Sequence, residues 1–341
     1  MMLAARYERA GTIEVVEIEP EPPGPGEVQI EVAYTGICGT DLHVFHGAMD
    51  GRVPPHTVIG HEMSGYVRAA GHDVHDWTVG DLVTVMPLQW CGACPACLDG
   101  NTHICHRLVF VGLDAPGSLQ QRWNVDAGLL VRVPQGMDPA HAALIEPSAV
   151  AVHDVDRAGL SGSDITLVIG AGPIGLLIAS VARSRGATVL LAETDDGRRR
   201  LAQSLGFEVL DQAEEAMLDR LDVVTSSAGV DVAFEVSGSQ AGLDLAVNVL
   251  ATRGRLVLVG IHPPSRTIDL FRVFWRELNL HGARVYQRRD FEVAVELIAN
   301  DLIPARALIS HVIPIRDVAE AFAALDSRSG AMKILVDCRA R

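Results

Sequence analysis

The turn Gly170-Ala-Gly172-Pro-Ile-Gly175 follows directly on the apolar run Thr166-Leu-Val-Ile169 and leads directly into a helical pattern over residues 173–185. In that setting each glycine has a reason. The first permits a tight turn, the second lets the backbone approach a pyrophosphate, and the third allows the helix to pack closely on the strand. Pro173 suits the first helical turn, where its missing N–H costs nothing. The exposed amides and the helix dipole then form a seat for phosphates. Further apolar runs of strand length, Thr188-Val-Leu-Leu-Ala192, Val232-Ala-Phe-Glu-Val236 and Arg255-Leu-Val-Leu-Val259, alternate with helical segments such as residues 240–252. Strands buried on both faces look like this, so residues 151–285 are expected to form a doubly wound parallel α/β sheet that binds a dinucleotide.

The second run ends at Glu193, placed to accept hydrogen bonds from the adenosine ribose. Its carboxylate repels a 2′-phosphate, so NAD is expected ahead of NADP. Arg198, Arg199 and Arg200 pull the other way, because a loop turned inward would set one of them against a 2′-phosphate. Most arginine runs, however, are solvated faces. The candidate cofactor-binding residues are Gly170, Gly172, Pro173, Ile174, Gly175, Glu193 and Arg198, joined by Val259, Gly260 and Ile261 at the end of the last run.

Four of the six cysteines fall within fifteen residues, as Cys91-Gly-Ala-Cys94-Pro-Ala-Cys97 and Cys105. Zinc takes four thiolates in a tetrahedron, and two-residue spacings let a tight turn point successive sulfurs at one ion. Gly92 and Pro95 suit such a turn. Unrelated buried cysteines scatter through apolar runs, whereas these sit beside Gly, Pro and Asp, so a structural zinc is expected and a disulfide cluster is the rival. The chain opens without a charged segment and long apolar stretch, so its thiols are expected to stay reduced, in the cytoplasm. A zinc ribbon on nucleic acid is disfavoured, since the net charge is −15 and no Lys/Arg stripe follows the cysteines. A length of 341 residues suggests two domains, and 48% hydrophobic content with only 5% aromatics suits an aliphatic core. No apolar run reaches the ~18 residues that span a membrane.

The first third alternates β-branched stretches, such as residues 27–33, 64–68 and 81–85, with turns rich in Gly and Pro, which reads as an antiparallel, loop-rich β domain. It carries Cys38-Gly-Thr-Asp-Leu-His43 and Gly60-His-Glu62. Singly, these residues have plain structural readings as a buried thiol, a satisfied core histidine and a surface carboxylate. Together, Cys38 and His61 would fix a second zinc, with Glu62 or the distant Glu146 supplying an oxygen ligand that exchanges with water or substrate. Three protein ligands and one open position mark a catalytic site. After residue 286 the pattern gives a helix over 290–300, strands near 309–313 and 333–336, and a helix between them. This tail is expected to rejoin residues 1–150.

In order and distance these motifs resemble those of the zinc-dependent medium-chain dehydrogenases, over almost the whole chain. The resemblance implies a GroES-like catalytic domain, a Rossmann domain, two zinc ions per chain and a homo-oligomer, dimer or tetramer. It implies that Cys38, His61 and Glu62 bind the catalytic zinc with Glu146 beside it, that Thr40 and His43 relay the alcohol's proton, and that Asp41 steadies His61. Glu146-Pro-Ser-Ala-Val-Ala-Val-His153 is similar to the branch containing sorbitol, butanediol and threonine dehydrogenases. Residues 282–291 look more like the butanediol type than the threonine type, which makes a secondary alcohol in a vicinal diol or polyol the first expectation and threonine the second. Residues 117–123, Gly-Ser-Leu-Gln-Gln-Arg-Trp, depart from the family's usual pattern at a segment that borders the substrate cleft in relatives. A catalytically inactive scaffold and a zinc-free quinone reductase are the competing classes; both are disfavoured because every ligand and fingerprint residue is present.

Overall fold

The computed structural model describes residues 1–211, 216–262, 264–327 and 330–340. The chain forms two compact units, one of Met1–Pro147, Gln287–Asp301 and Ala305–Arg341, the other of Ser148–Tyr286 and Leu302–Pro304.

The first unit is built on a seven-stranded sheet in the order Leu130–Arg132, Leu82–Val85, Glu62–Ala70, Glu27–Gly36, Lys333–Asp337 and Ile309–Pro314, with Arg122–Asp126 also paired to Glu27–Gly36. Every pairing is antiparallel except that between the last two strands of the order. Val28, Ile30 and Val32 share one face of Glu27–Gly36 by the two-residue period of a strand, and all three are buried. A smaller sheet joins Thr12–Ile18, Met2–Arg9 and Thr57–Val58. The strand Lys333–Asp337 pairs in this sheet with Leu335 opposite Gly36 and Val336 opposite Thr35.

The second unit is a six-stranded parallel sheet in the order Glu208–Asp211, Thr188–Glu193, Ile165–Ile169, Val230–Glu235, Leu250–Leu258 and Asn279–Gly282. Leu167, Ile169, Leu190, Ala192, Ala233 and Leu256 form its core. Two local expectations need correction. The helix expected over 240–252 is Gln240–Val249, and the chain is already extended at Leu250. Thr252 and Gly254 are poor helix formers, and Arg253, with φ 61°, donates its amide to the Arg276 carbonyl at 2.7 Å. The arginine run lies on a helix, Asp196–Ser204, and not on a loop. Asp195 caps that helix by accepting from the Arg198 amide at 2.8 Å.

Phe234 is fully buried at the centre of the parallel sheet. Phe234→Ala should cost the second unit about 3–5 kcal/mol. The denaturant midpoint followed by circular dichroism checks this, and a loss under about 1 kcal/mol would mean that the sheet repacks freely.

Candidate active site

Cys38 precedes the short helix Gly39–Phe45, and the carboxylate of Asp41, in that helix's first turn, accepts the Cys38 amide on Oδ2 at 2.9 Å. Its other oxygen, Oδ1, faces His61 Nδ1 at 3.6 Å, and neither atom has a hydrogen-bond partner. One buried carboxylate therefore holds the thiol segment by a hydrogen bond and faces the imidazole with its free oxygen. His61 is aimed by the residue before it. Gly60 has φ 99°, and a Cβ there would come within 2.9 Å of the Leu119 side chain. Phe110 packs edge-on against the imidazole, 5.1 Å between ring centroids.

Cys38, His61 and Glu62 offer a sulfur, a nitrogen and an oxygen within 4.8 Å of one another. Glu146, in the first turn of Ile145–Arg157, lies outside that trio, but it is buried and its charge acts on His61. Burial pushes the Asp41 carboxyl up. Burial pushes His61 down, but Asp41, Cys38 and Glu146 outweigh it and hold the imidazole well above its usual range. An imidazole held among buried anions, with Nδ1 turned to a carboxylate, suits a ring nitrogen that gives up its proton to a cation. The donor set of soft, borderline and hard atoms is one that zinc accepts.

Lys333 was not among the residues singled out from the sequence. It is buried, and its Nζ donates to Glu62 Oε1 at 2.8 Å, Glu62 Oε2 at 2.6 Å and the Ile37 carbonyl at 3.3 Å. Burial alone lowers its pKa, but Glu62, Cys38 and Glu146 reverse the effect and keep it an ammonium. Its one sequence signal is rarity. Of the 28 Lys and Arg residues, 27 are arginine and one is lysine.

The four clustered cysteines meet at sulfur separations of 3.4 Å (Cys91 to Cys105), 3.5 Å (Cys94 to Cys97) and 3.7 Å (Cys94 to Cys105). Zn–S bonds of about 2.3 Å set tetrahedron edges of roughly 3.8 Å, whereas a disulfide needs about 2.05 Å. The Ala93 amide holds Cys91 down, to about 5, while burial and neighbouring thiols push Cys97 up. Four thiols this close share their protons, and an ion that displaces all of them is the arrangement they fit.

In the second unit Gly170, with φ 103°, closes the strand Ile165–Ile169, and Gly172 and Pro173 open the helix Pro173–Ser184. A Cβ on Gly175 would lie 1.8 Å from the Gly170 carbonyl oxygen, so the turn and helix can approach only with glycine there. Glu193 binds the turn directly, its Oε2 accepting from the Ala171 amide at 2.8 Å and its Oε1 from the Thr194 and Asp195 amides at 2.7 and 2.9 Å. A carboxylate has about four lone-pair sites, so it can still accept from a ribose hydroxyl. Arg199 is paired with Asp196 and Asp211, and Arg200 is exposed. Arg198 is the arginine facing the turn, with Nη1 3.7 Å from where a Gly172 Cβ would stand. The Val259 and Gly260 amides donate to the Glu235 carbonyl at 3.0 and 2.8 Å, and Ile261 follows, exposed. Glu235 and His262, paired at 2.9 Å beside Gly260, also escaped the sequence reading because neither belongs to a spaced motif.

The atypical segment 117–123 is tied into the sheet framework. Gln121 Oε1 accepts from the Leu3 amide at 2.9 Å, Gln120 donates to the Gly117 carbonyl at 2.7 Å, and Trp123 donates to the Pro116 carbonyl at 3.0 Å. Among the described residues no helix is long and apolar enough to cross a membrane.

Residues 24–135 match the alcohol dehydrogenase GroES-like domain, and residues 173–300 match the zinc-binding dehydrogenase family. A 2-dehydro-3-deoxy-L-galactonate 5-dehydrogenase of Pseudoalteromonas atlantica strain T6c is 45% identical over 339 residues, 99% of either chain. The 2R,3R-butanediol dehydrogenase of Bacillus subtilis superposes with a TM-score of 0.91 at 30% identity, covering 99% of both chains. A zinc-binding dehydrogenase of Sinorhizobium meliloti 1021 bound to NADP gives 0.92, also at 30% identity and 99% of both chains. The chain belongs to the zinc-dependent medium-chain alcohol dehydrogenase family. It is an NAD(P)-dependent oxidoreductase of secondary alcohols.

Two zinc ions per chain are expected by elemental analysis. The ion among Cys38, His61 and Glu62, which has fewer protein ligands, should leave first under mild chelation and take activity with it. Full activity in protein holding one zinc or none would contradict this assignment.

Proposed function

We propose that Cys38, His61 and Glu62 hold the catalytic zinc with Glu146 close by, that Cys91, Cys94, Cys97 and Cys105 hold the structural one, and that residues 151–285 bind the dinucleotide. The gathering of three unlike donors around one point, beside buried Asp41, carries this reading. Held there, zinc would supply Lewis-acid polarisation of an alcohol oxygen, and a bound NAD would supply the hydride acceptor. The protein's own residues handle the proton. Thr40 and His43 stand three apart on the helix Gly39–Phe45, hence on one face, and both are half-buried. The Thr40 hydroxyl accepts the departing proton as it releases its own, and His43 delivers a proton to solvent. The carbinol thereby loses a hydride and a proton and becomes a ketone.

The substrate class is a secondary hydroxyl flanked by further hydroxyls, in a diol, polyol or sugar acid. The relative from Pseudoalteromonas atlantica, matched across its whole length, supports this class by acting on 2-dehydro-3-deoxy-L-galactonate. NAD is preferred over NADP because Glu193 is held in place by three backbone amides at the ribose position. The thiol-rich loop suits the cytoplasm, where cysteines stay reduced. The partner is a second copy of the chain. Leu270, Phe271, Phe274 and Trp275 are 68–74% exposed on one short helix, and the nearby edge strand Asn279–Gly282 is paired on one side only.

Turnover of 2-dehydro-3-deoxy-L-galactonate, L-galactonate, sorbitol, 2,3-butanediol and threonine with NAD and NADP tests the reading. Activity is expected on polyhydroxylated secondary alcohols with NAD, and Glu193→Ser should narrow the gap to NADP. Activity on threonine alone, or on nothing, would overturn it. His43→Ala should cost roughly 10²-fold in kcat near neutral pH and recover part of that at alkaline pH, where hydroxide collects the proton. An unchanged pH profile with zinc in place would remove His43 from the relay. Phe274→Arg with Trp275→Arg should convert the oligomer to a monomer by sedimentation velocity; an unaltered sedimentation coefficient would place the interface elsewhere.

A further inference from the structure

The single lysine of this chain is spent inside the site. The other 27 Lys and Arg positions are all arginine, yet the buried cation against Glu62 is Lys333. It reaches Glu62 across 271 residues of sequence, by way of the pairing between Lys333–Asp337 and Glu27–Gly36. The space explains the choice. Gly36 stands behind the carboxylate, where a Cβ would lie 2.4 Å from Glu62 Oε2 and 3.4 Å from Lys333 Cδ. A compact ammonium fits there, and a planar guanidinium with its fixed fork of donors does not.

Both Glu62 oxygens accept from Lys333 Nζ, and the same carboxylate is within reach of the ion that Cys38 and His61 would hold. An ion and the ammonium therefore draw on one set of lone pairs. We propose that Lys333 is a positioning residue for the catalytic metal: it withdraws charge from Glu62, so that this carboxylate is a weak and exchangeable ligand. The inference rests on the zinc reading above and goes beyond it, since it assigns what controls the grip of one ligand.

The sign of the effect separates this role from a merely structural one. Holoenzyme of the wild type, Lys333→Met, Glu62→Gln and the double variant is challenged with a chelator, and loss of each ion is timed, with the four-cysteine ion as internal control. With the ammonium gone, Glu62 should grip the ion harder, so that its loss slows about tenfold, the order of effect seen for groups behind metal ligands. In the Glu62→Gln background the same substitution should change little, because Lys333 acts through Glu62. Faster loss in Lys333→Met, or equal slowing without Glu62, overturns the proposal. If Lys333→Met does not fold, the wild type still decides. Protein labelled with ¹⁵N-lysine gives one side-chain signal, which should exchange slowly with water and move when Co²⁺ replaces the readily chelated ion. A signal that does not move overturns the proposal. A wild type holding no ion beyond the four-cysteine one would instead overturn the zinc reading itself, and the inference with it.

Discussion

Buried charge is the constraint around which the first unit is organised. An ionised carboxylate taken out of water is tolerated only when paired and hydrogen-bonded. Glu62, 1% exposed, is held by Lys333, and Asp41, fully buried, is shared between the Cys38 amide and the His61 ring. The second of these compensations is nearer in sequence, since the Cys38 amide lies in the same helix turn as Asp41 and His61 follows closely in the same domain segment. The first is global, because Lys333 reaches Glu62 only if the C-terminal strand pairs in its observed register, with Leu335 opposite Gly36. Slipping that strand by one residue would send Lys333 to the other face and leave Glu62 unpaired. Register of the sheet and electrostatics of the site are thus one condition.

The second unit meets a different constraint, close approach of backbone. Its strand order reverses between Ile165–Ile169 and Val230–Glu235, which is where open parallel sheets bind their ligands. The turns after those two strands meet there, with a Gly170 Cβ position 3.3 Å from the Ser237 amide. Glu193 adds a tie between the glycine turn and the end of Thr188–Glu193, so its carboxylate shapes the turn beside the position proposed for the ribose. A side chain that cannot accept from these amides would loosen the turn.

Local chemistry was legible in the sequence, and long-range compensation was not. The glycine turn, the cysteine loop and Cys38, His61 and Glu62 each carry their meaning in a few neighbouring residues, and the structure brings those groups together. Lys333 carries no local pattern, since its partner lies 271 residues away and only the strand pairing makes them neighbours. The arginine run was misplaced on a loop because three charged residues hide the 3.6-residue period, while the deciding signal, Asp195 as a cap, precedes them. The glutamines at 120 and 121 stood out from the family pattern, but Gln121 serves the N-terminal strand, a contact that no spacing rule encodes.

The two metal sites show how donor chemistry divides one ion's tasks. The cysteine loop supplies four donors of one kind within a short, turn-rich segment, so an ion there would be closed off on every side and would fix the fold of residues 91–105. The other set draws its donors from separate elements, Cys38 ahead of a helix, His61 after a left-handed glycine and Glu62 at the start of a strand, with Glu146 on a fourth. If only Cys38, His61 and Glu62 bind, a tetrahedral ion there would keep one position for substrate. A carboxylate already engaged by an ammonium is the least committed of them, so ligand exchange is to be sought at Glu62.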